Sequence, residues 1–284
     1  MPNLRDLRRR IRSIRNTQQL TRAMKMVAAA KLRKAQERNF AARPYAFKIR
    51  EVLESLSLRV DPSRHPLLAR PTEKRVEVLV ITADKGLCGS FNTHIIRKAM
   101  EFLGEQQGKE LSLFLVGRKS RDFFRRRDFK IRRQETDLFR EVRFADAIRI
   151  TGDLVDAFVS REVDAIYMIY NGFKSVLRQE LTMQKLFPVG DLRPEEAPRE
   201  EDYIYEPEDR VLFDRLLPKY VETQIYQALL ESFSAEQAAR MTAMGNATEN
   251  AGEMIDQLTL SMNRVRQAVI TREIIEVVSG VEAL

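Results

Sequence analysis

Apolar residues at the start of the chain recur three, then four positions apart: Leu4, Leu7, Ile11 and Ile14, with Leu20, Met24 and Val27 continuing the stripe. That spacing sets one face of a helix against a partner. Neither proline nor glycine occurs between Pro2 and Pro44. The pattern therefore predicts a helix of roughly forty residues, bent near Pro44 and continued from Ala46 to Leu58, with DPSRHP (Asp61 to Pro66) as its breaker. The other end of the chain carries a second seam of the same period. It runs through Met241, Met244, Thr248, Ala251, Ile255, Leu258, Met262, Val265 and Val269. No proline follows Pro218, and a helix of that length would extend about 100 Å. Two such helices at opposite ends of one chain pair most simply with each other. The knobs of the second seam are methionine, threonine and alanine as often as leucine, so its grip differs from that of a leucine zipper.

Between the helices the period changes. RVEVLVIT is a β-branched run that leads through a glycine turn into the helical stretch NTHIIRKAMEFL. LSLFLVG reads as a strand, FADAIRITGDLVDAFVS as a helix and VDAIYMIYN as a strand. SVLRQELTMQKLFPV reads as a strand that leaves the sheet, and GDLRPEEAPREEDYIYEPED as a polar linker. Alternating strands and helices imply a partly parallel sheet with helices on its faces. The expected fold class is α/β: a long antiparallel coiled coil of the N- and C-terminal helices with an inserted Rossmann-like α/β domain. The expected boundaries are 1–60 for the N-terminal helix, 61–73 for a linker, 74–205 for the α/β domain and 206–284 for the C-terminal helix.

Charge refines this picture. The net charge is +8, and in the first 50 residues Asp6 and Glu37 are the only acids. Arg5, Arg8, Arg9, Arg12 and Arg15 fall on the face away from the apolar stripe. The excess is consistent with nucleic acid, an anionic membrane surface or an acidic protein partner. Aromatic residues for stacking bases are missing there, which weakens the nucleic-acid reading. A single cysteine, Cys88, forbids an internal disulfide. No stretch approaches the roughly 20 apolar residues of a membrane span.

Chemistry finds little support. The turn TADKGLCGSFN offers Gly86, Gly89 and Lys85 to an anion, but a dinucleotide fingerprint needs three glycines and this turn has two. GRKS at Gly117 lacks the earlier glycine and the lysine of a phosphate loop. A tight turn packing a helix on a sheet accounts for both stretches. Cys88, His65 and His94 form no nucleophilic motif, and no Cys/His spacing suits a metal. No catalytic residue, cofactor or metal is expected.

Longer stretches carry a resemblance. IRSIRNTQQLTRAMKMVAAAKLRKAQ, ADKGLCGSFN, YIYEPED, SAEQAARMTAMGNATENA and RQAVITREIIEVVSG together resemble, end to end and in order, the gamma subunits of bacterial F-type ATP synthases. The resemblance implies a non-catalytic central shaft turning inside a hexamer of alpha and beta subunits. It also implies contacts with the epsilon subunit and the proton-driven c ring, and attachment to the cytoplasmic face of the bacterial plasma membrane only through the complex. No nucleic acid is implied. Arg266 and Gln267 match an arginine–glutamine pair that meets the beta subunit, and Met24 and Lys25 match the N-terminal helix near the same zone. Tyr203 and Tyr205 match the foot near epsilon and the ring. The basic arginines would face an acidic segment of beta.

Overall fold

A computed structural model describes residues 3–57, 65–68, 72–176, 178–190, 192 and 208–282. By contacts the chain divides into two compact units, Ala30–Ala239 and the pairing of Met1–Ala29 with Arg240–Leu284. Helices α1 (Leu4–Ser57) and α5 (Asp209–Glu282) contribute to both.

The unit spanning Ala30–Ala239 is built on five strands. In chain order they and their helices are β1 (Arg75–Ile81), α2 (Phe91–Glu105), β2 (Glu110–Val116), α3 (Arg118–Phe124), β3 (Lys130–Glu135), α4 (Phe144–Val159), β4 (Ala165–Phe173) and β5 (Gln179–Phe187). Strand order is β3-β2-β1-β4-β5. The first four are parallel and β5 runs antiparallel to β4, from Ile166 opposite Phe187 to Phe173 opposite Gln179. The segment expected to leave the sheet therefore stays in it as an edge. Its first seven residues are mostly polar and wholly or partly exposed, with Leu181 and Met183 among them, while Leu186 and Phe187 are buried, a pattern that suits one wet edge. The basic stretches around Lys119 and Lys130, to which the sequence pattern assigned no element, form α3 and β3.

Each face of the sheet buries its own cluster. Val76, Val78 and Val80 of β1 pack with Ile95, Ala99 and Phe102 of α2, and Phe124 of α3 completes that side. Leu79 and Ile81 point the other way, against Ile150 and Leu154 of α4, Leu53 and Leu56 of α1, and the start of α5. Strand alternation explains the split: neighbours along β1 face opposite layers.

The long helices run through their prolines. α5 begins at Asp209, nine residues before Pro218. Phe213, Leu217, Val221 and Ile225 lie at helical spacing and are fully buried. Burying each stabilises by about 1.5–3 kcal/mol, which offsets the cost of about 3 kcal/mol for an interior proline. Pro44 lies on the exposed side of α1, and Asn39, Ile49, Leu53 and Leu56 around it are buried.

In the other unit the first turns of α1 lie antiparallel to the C-terminal half of α5. Leu7, Ile11 and Ala28 are buried, as are Met244 and Ala251. The seam does not follow Leu20 and Val27, which are 61% and 56% exposed. It passes instead through Gln18 and Thr21, because the strict three-four alternation from Leu4 reaches 18 and 21 whatever residues stand there. Thr21 meets Thr248 hydroxyl to hydroxyl at 2.8 Å, and Gln18 Nε2 donates to the Thr248 carbonyl at 3.4 Å.

Candidate functional site

The carboxyl ends of the parallel strands are where a doubly wound sheet would hold a ligand. Here they are tied off by the chain itself. Asp84 Oδ1 accepts the backbone amides of Arg118 at 3.1 Å and Asp137 at 3.0 Å. The Ala83 amide donates to Asn92 Oδ1 at 2.9 Å. Amides that could cradle a phosphate are thus already satisfied, two of them by a carboxylate that would repel one. The Arg118 guanidinium grips Asp137 through both carboxylate oxygens, and that contact holds the Asp137 carboxyl below its ordinary range.

Gly86 and Gly89 bend this turn, and Gly89 has φ of 57°. Gly117 is obligatory for a different reason. A Cβ there would lie 2.1 Å from the Thr82 carbonyl oxygen, and its φ is 92°. It packs the end of β2 on the end of β1. Cys88 is 1% exposed, beneath the turn, and accepts a hydrogen bond from Asn92 Nδ2 at 3.2 Å. Ala235 of α5 is buried in the cluster that holds Phe91 and Ile169, and Ala239 packs against it. α5 thus contributes to the core on the α2 side of the sheet. Among the described residues, no group of three or more potential metal ligands is present.

The exposed features of the helical pair remain. Arg5, Arg8, Arg9, Arg12 and Arg15 are all exposed. The offset set by Thr21 and Thr248 brings Leu4 opposite Val265, and there the partner ends. Val269, expected in the seam, is 43% exposed, since α1 does not reach it. Beyond it Ile270, Ile274, Ile275, Val277 and Val278 are exposed too, so the last turns of α5 present an apolar surface with no partner from α1.

Arg266 and Gln267 lie on this unpaired stretch and are exposed. Met24 is half-buried at the seam and Lys25 is exposed. Lys25 nevertheless lays its side chain over Gly245, with Cδ, Cε and Nζ 3.5 to 3.8 Å from where a Cβ would stand. Tyr203 and Tyr205 lie outside the described residues. Arg266 and Gln267 are thus separated along α5 from Lys25 by some twenty residues, roughly 30 Å of helix, and the chain does not bring them into one cluster. The sequence pattern placed Thr248 in the seam but missed its polar partners Gln18 and Thr21 and the close approach at Gly245 and Gly252. The only signal for them was the unbroken three-four count through residues that are not apolar.

Comparison with known proteins covers the whole length. A family model described as ATP synthase matches residues 3–284. The ATP synthase gamma chain of Pelotomaculum thermopropionicum is 50% identical over 284 residues, covering 100% of both chains. That of Solibacter usitatus is 50% identical over 287 residues, covering 100% of this chain and 99% of the relative. Among solved structures, a chain of the central stalk and c ring of Tetrahymena thermophila mitochondrial ATP synthase matches with a TM-score of 0.62 and 28% identity. It covers 80% of this chain and 99% of that one. A chain of the Euglena gracilis mitochondrial enzyme shares the fold, with a TM-score of 0.70 and 19% identity over 99% of this chain and 94% of that one.

Proposed function

The chain belongs to the gamma-chain family of ATP synthases, and from that premise we infer that it is the central rotating shaft of an F-type enzyme. It couples proton flow through a membrane ring to ATP synthesis or hydrolysis at the beta subunits, and holds no catalytic site itself. The observation that carries this reading is the full-length identity of 50% to a named gamma chain. The paired terminal helices supply the physical means, because two helices locked along a seam transmit torque that a single helix would dissipate by bending.

Beta-subunit contacts are assigned to Met24, Lys25, Arg266 and Gln267. The exposure of Lys25, Arg266 and Gln267 supports this, as does the basic face of α1, which suits an acidic partner. Tyr203 and Tyr205 are assigned to the foot, against epsilon and the c ring. The complex is placed at the cytoplasmic face of a bacterial plasma membrane. No helix among the described residues is long and apolar enough to cross a membrane, so the chain's own attachment is through its partners. Mixing the purified chain with alpha and beta subunits tests the reading: an ATP-hydrolysing complex containing all three is expected, and failure of the chain to join would refute it. Within that complex, Arg266→Glu is expected to weaken assembly or coupling, and unchanged hydrolysis and synthesis would remove Arg266 from the beta contact.

A further inference from the structure

We propose that a recess on the Ala30–Ala239 unit binds a small amphipathic carboxylate. The recess encloses about 320 Å³ between α1, the 140–142 segment and α5. That volume lies at the lower end of the range of about 300–1,000 Å³ for small-molecule pockets.

Its floor and rim differ in kind. Val142 and Leu230 are buried at the floor, and Phe233 is half-buried there, stacked on Phe139 with ring planes 12° apart. The rim carries four cations, Lys31, Lys34, Arg38 and Arg140, and one carboxylate, Glu141. Arg38 is held by Glu141 at 3.0 Å and Arg140 by Asp137 at 3.2 Å, so both guanidiniums already have carboxylates. Lys31 and Lys34 are exposed and have no carboxylate partner among the described residues. Three residues apart on one helix, they stand on the same side of it. The recess therefore offers two uncompensated ammonium groups above an apolar floor. A ring or short alkyl chain with one terminal carboxylate satisfies both demands.

Size separates this ligand from a protein segment. The stretch of α1 that lines the recess, residues 31 to 38, covers two helical turns, about 10 Å. A docked partner helix would need anchors over at least seven residues of its own in a continuous groove. A phenylalkanoate fits the shorter length, and by touching α1, the 140–142 segment and α5 it would tie three segments together.

The test is isothermal titration of the full-length chain with 4-phenylbutyrate, and with 4-phenylbutanol as its uncharged counterpart. Saturable binding of the carboxylate is expected, with the alcohol at least about tenfold weaker. Lys31→Gln/Lys34→Gln should weaken the carboxylate about tenfold and leave the alcohol unchanged. Both lysines are exposed, so circular dichroism of this variant should match the parent. Phe233→Ala is the second variant and should weaken both compounds. The proposal is overturned by absence of saturation up to about 10 mM, by equal binding of acid and alcohol, or by carboxylate binding that the lysine substitutions do not change.

Discussion

Removing one half of the Glu77–Arg132 pair should damage the sheet far more than removing both halves. Glu77 lies in the middle of β1, fully buried, and Arg132 reaches it from β3 across the intervening strand. Arg132 Nε donates to one carboxylate oxygen at 2.6 Å and Nη2 to the other at 2.8 Å. Arg132→Met leaves that carboxylate dry and unpaired, which costs about 3–5 kcal/mol. Glu77→Leu/Arg132→Met removes both charges and should lie within about 1 kcal/mol of the parent, or above it. The pH dependence has a defined sign. Burial raises the Glu77 carboxyl above its ordinary value of 4.5 even with Arg132 opposing it. Without Arg132 the rise is larger. A carboxyl raised in the folded state supports folding below its unfolded value and loses that support as pH climbs through the folded value. The Arg132→Met deficit should therefore be smallest near pH 4.5 and grow toward neutrality. Urea denaturation of the full chain, read alongside hydrogen exchange of β1 to β3 peptides, measures both effects. An Arg132→Met deficit no larger than that of the double variant, or independent of pH, would refute the argument.

Two glycines should respond in opposite directions. Gly117→Ala forces a Cβ to 2.1 Å from the Thr82 carbonyl, and a loss of at least about 2 kcal/mol is expected in the same denaturation assay; an unchanged midpoint would mean that the two strand ends do not need their close approach. Gly245→Ala places its methyl at ordinary distance from the Lys25 side chain, 3.5 Å or more. It should stabilise the helical pair by about 0.5–1 kcal/mol through helix propensity, read as a higher thermal midpoint, and a fall would show that Lys25 cannot move aside.

Periodicity made the paired helices legible because a seam needs only the right residues at the right count. It misled at Leu20 and Val27, where side chains of the right kind stand one position off the count. It also overran at Val269, since one helix's sequence cannot say where its partner stops. β5 was misread because its mostly polar first seven residues resemble a strand on its way out, and only the pairing with β4 keeps it in the sheet. At the turn after β1, Asp84 takes two backbone amides, and Ala235 is buried in the cluster that holds Ala83, Cys88 and Phe91. Neither could be recognised from spacing. Asp84 acts on residues 34 and 53 positions away, and Ala235 arrives from a helix at the far end of the chain. Glu77 was hidden for the same reason: its partner lies 55 residues on.

Rotation is the claim that everything else serves, and one label can test it. Cys88 is 1% exposed and is the only cysteine, whereas Gln107 is exposed in the loop between α2 and β2. In Gln107→Cys a bead or rod can therefore be attached at one chosen place. With the chain assembled on surface-fixed alpha and beta subunits, ATP should turn the probe continuously in one direction, and removal of ATP should stop it. An assembly that hydrolyses ATP while the firmly attached probe stays still would contradict the account.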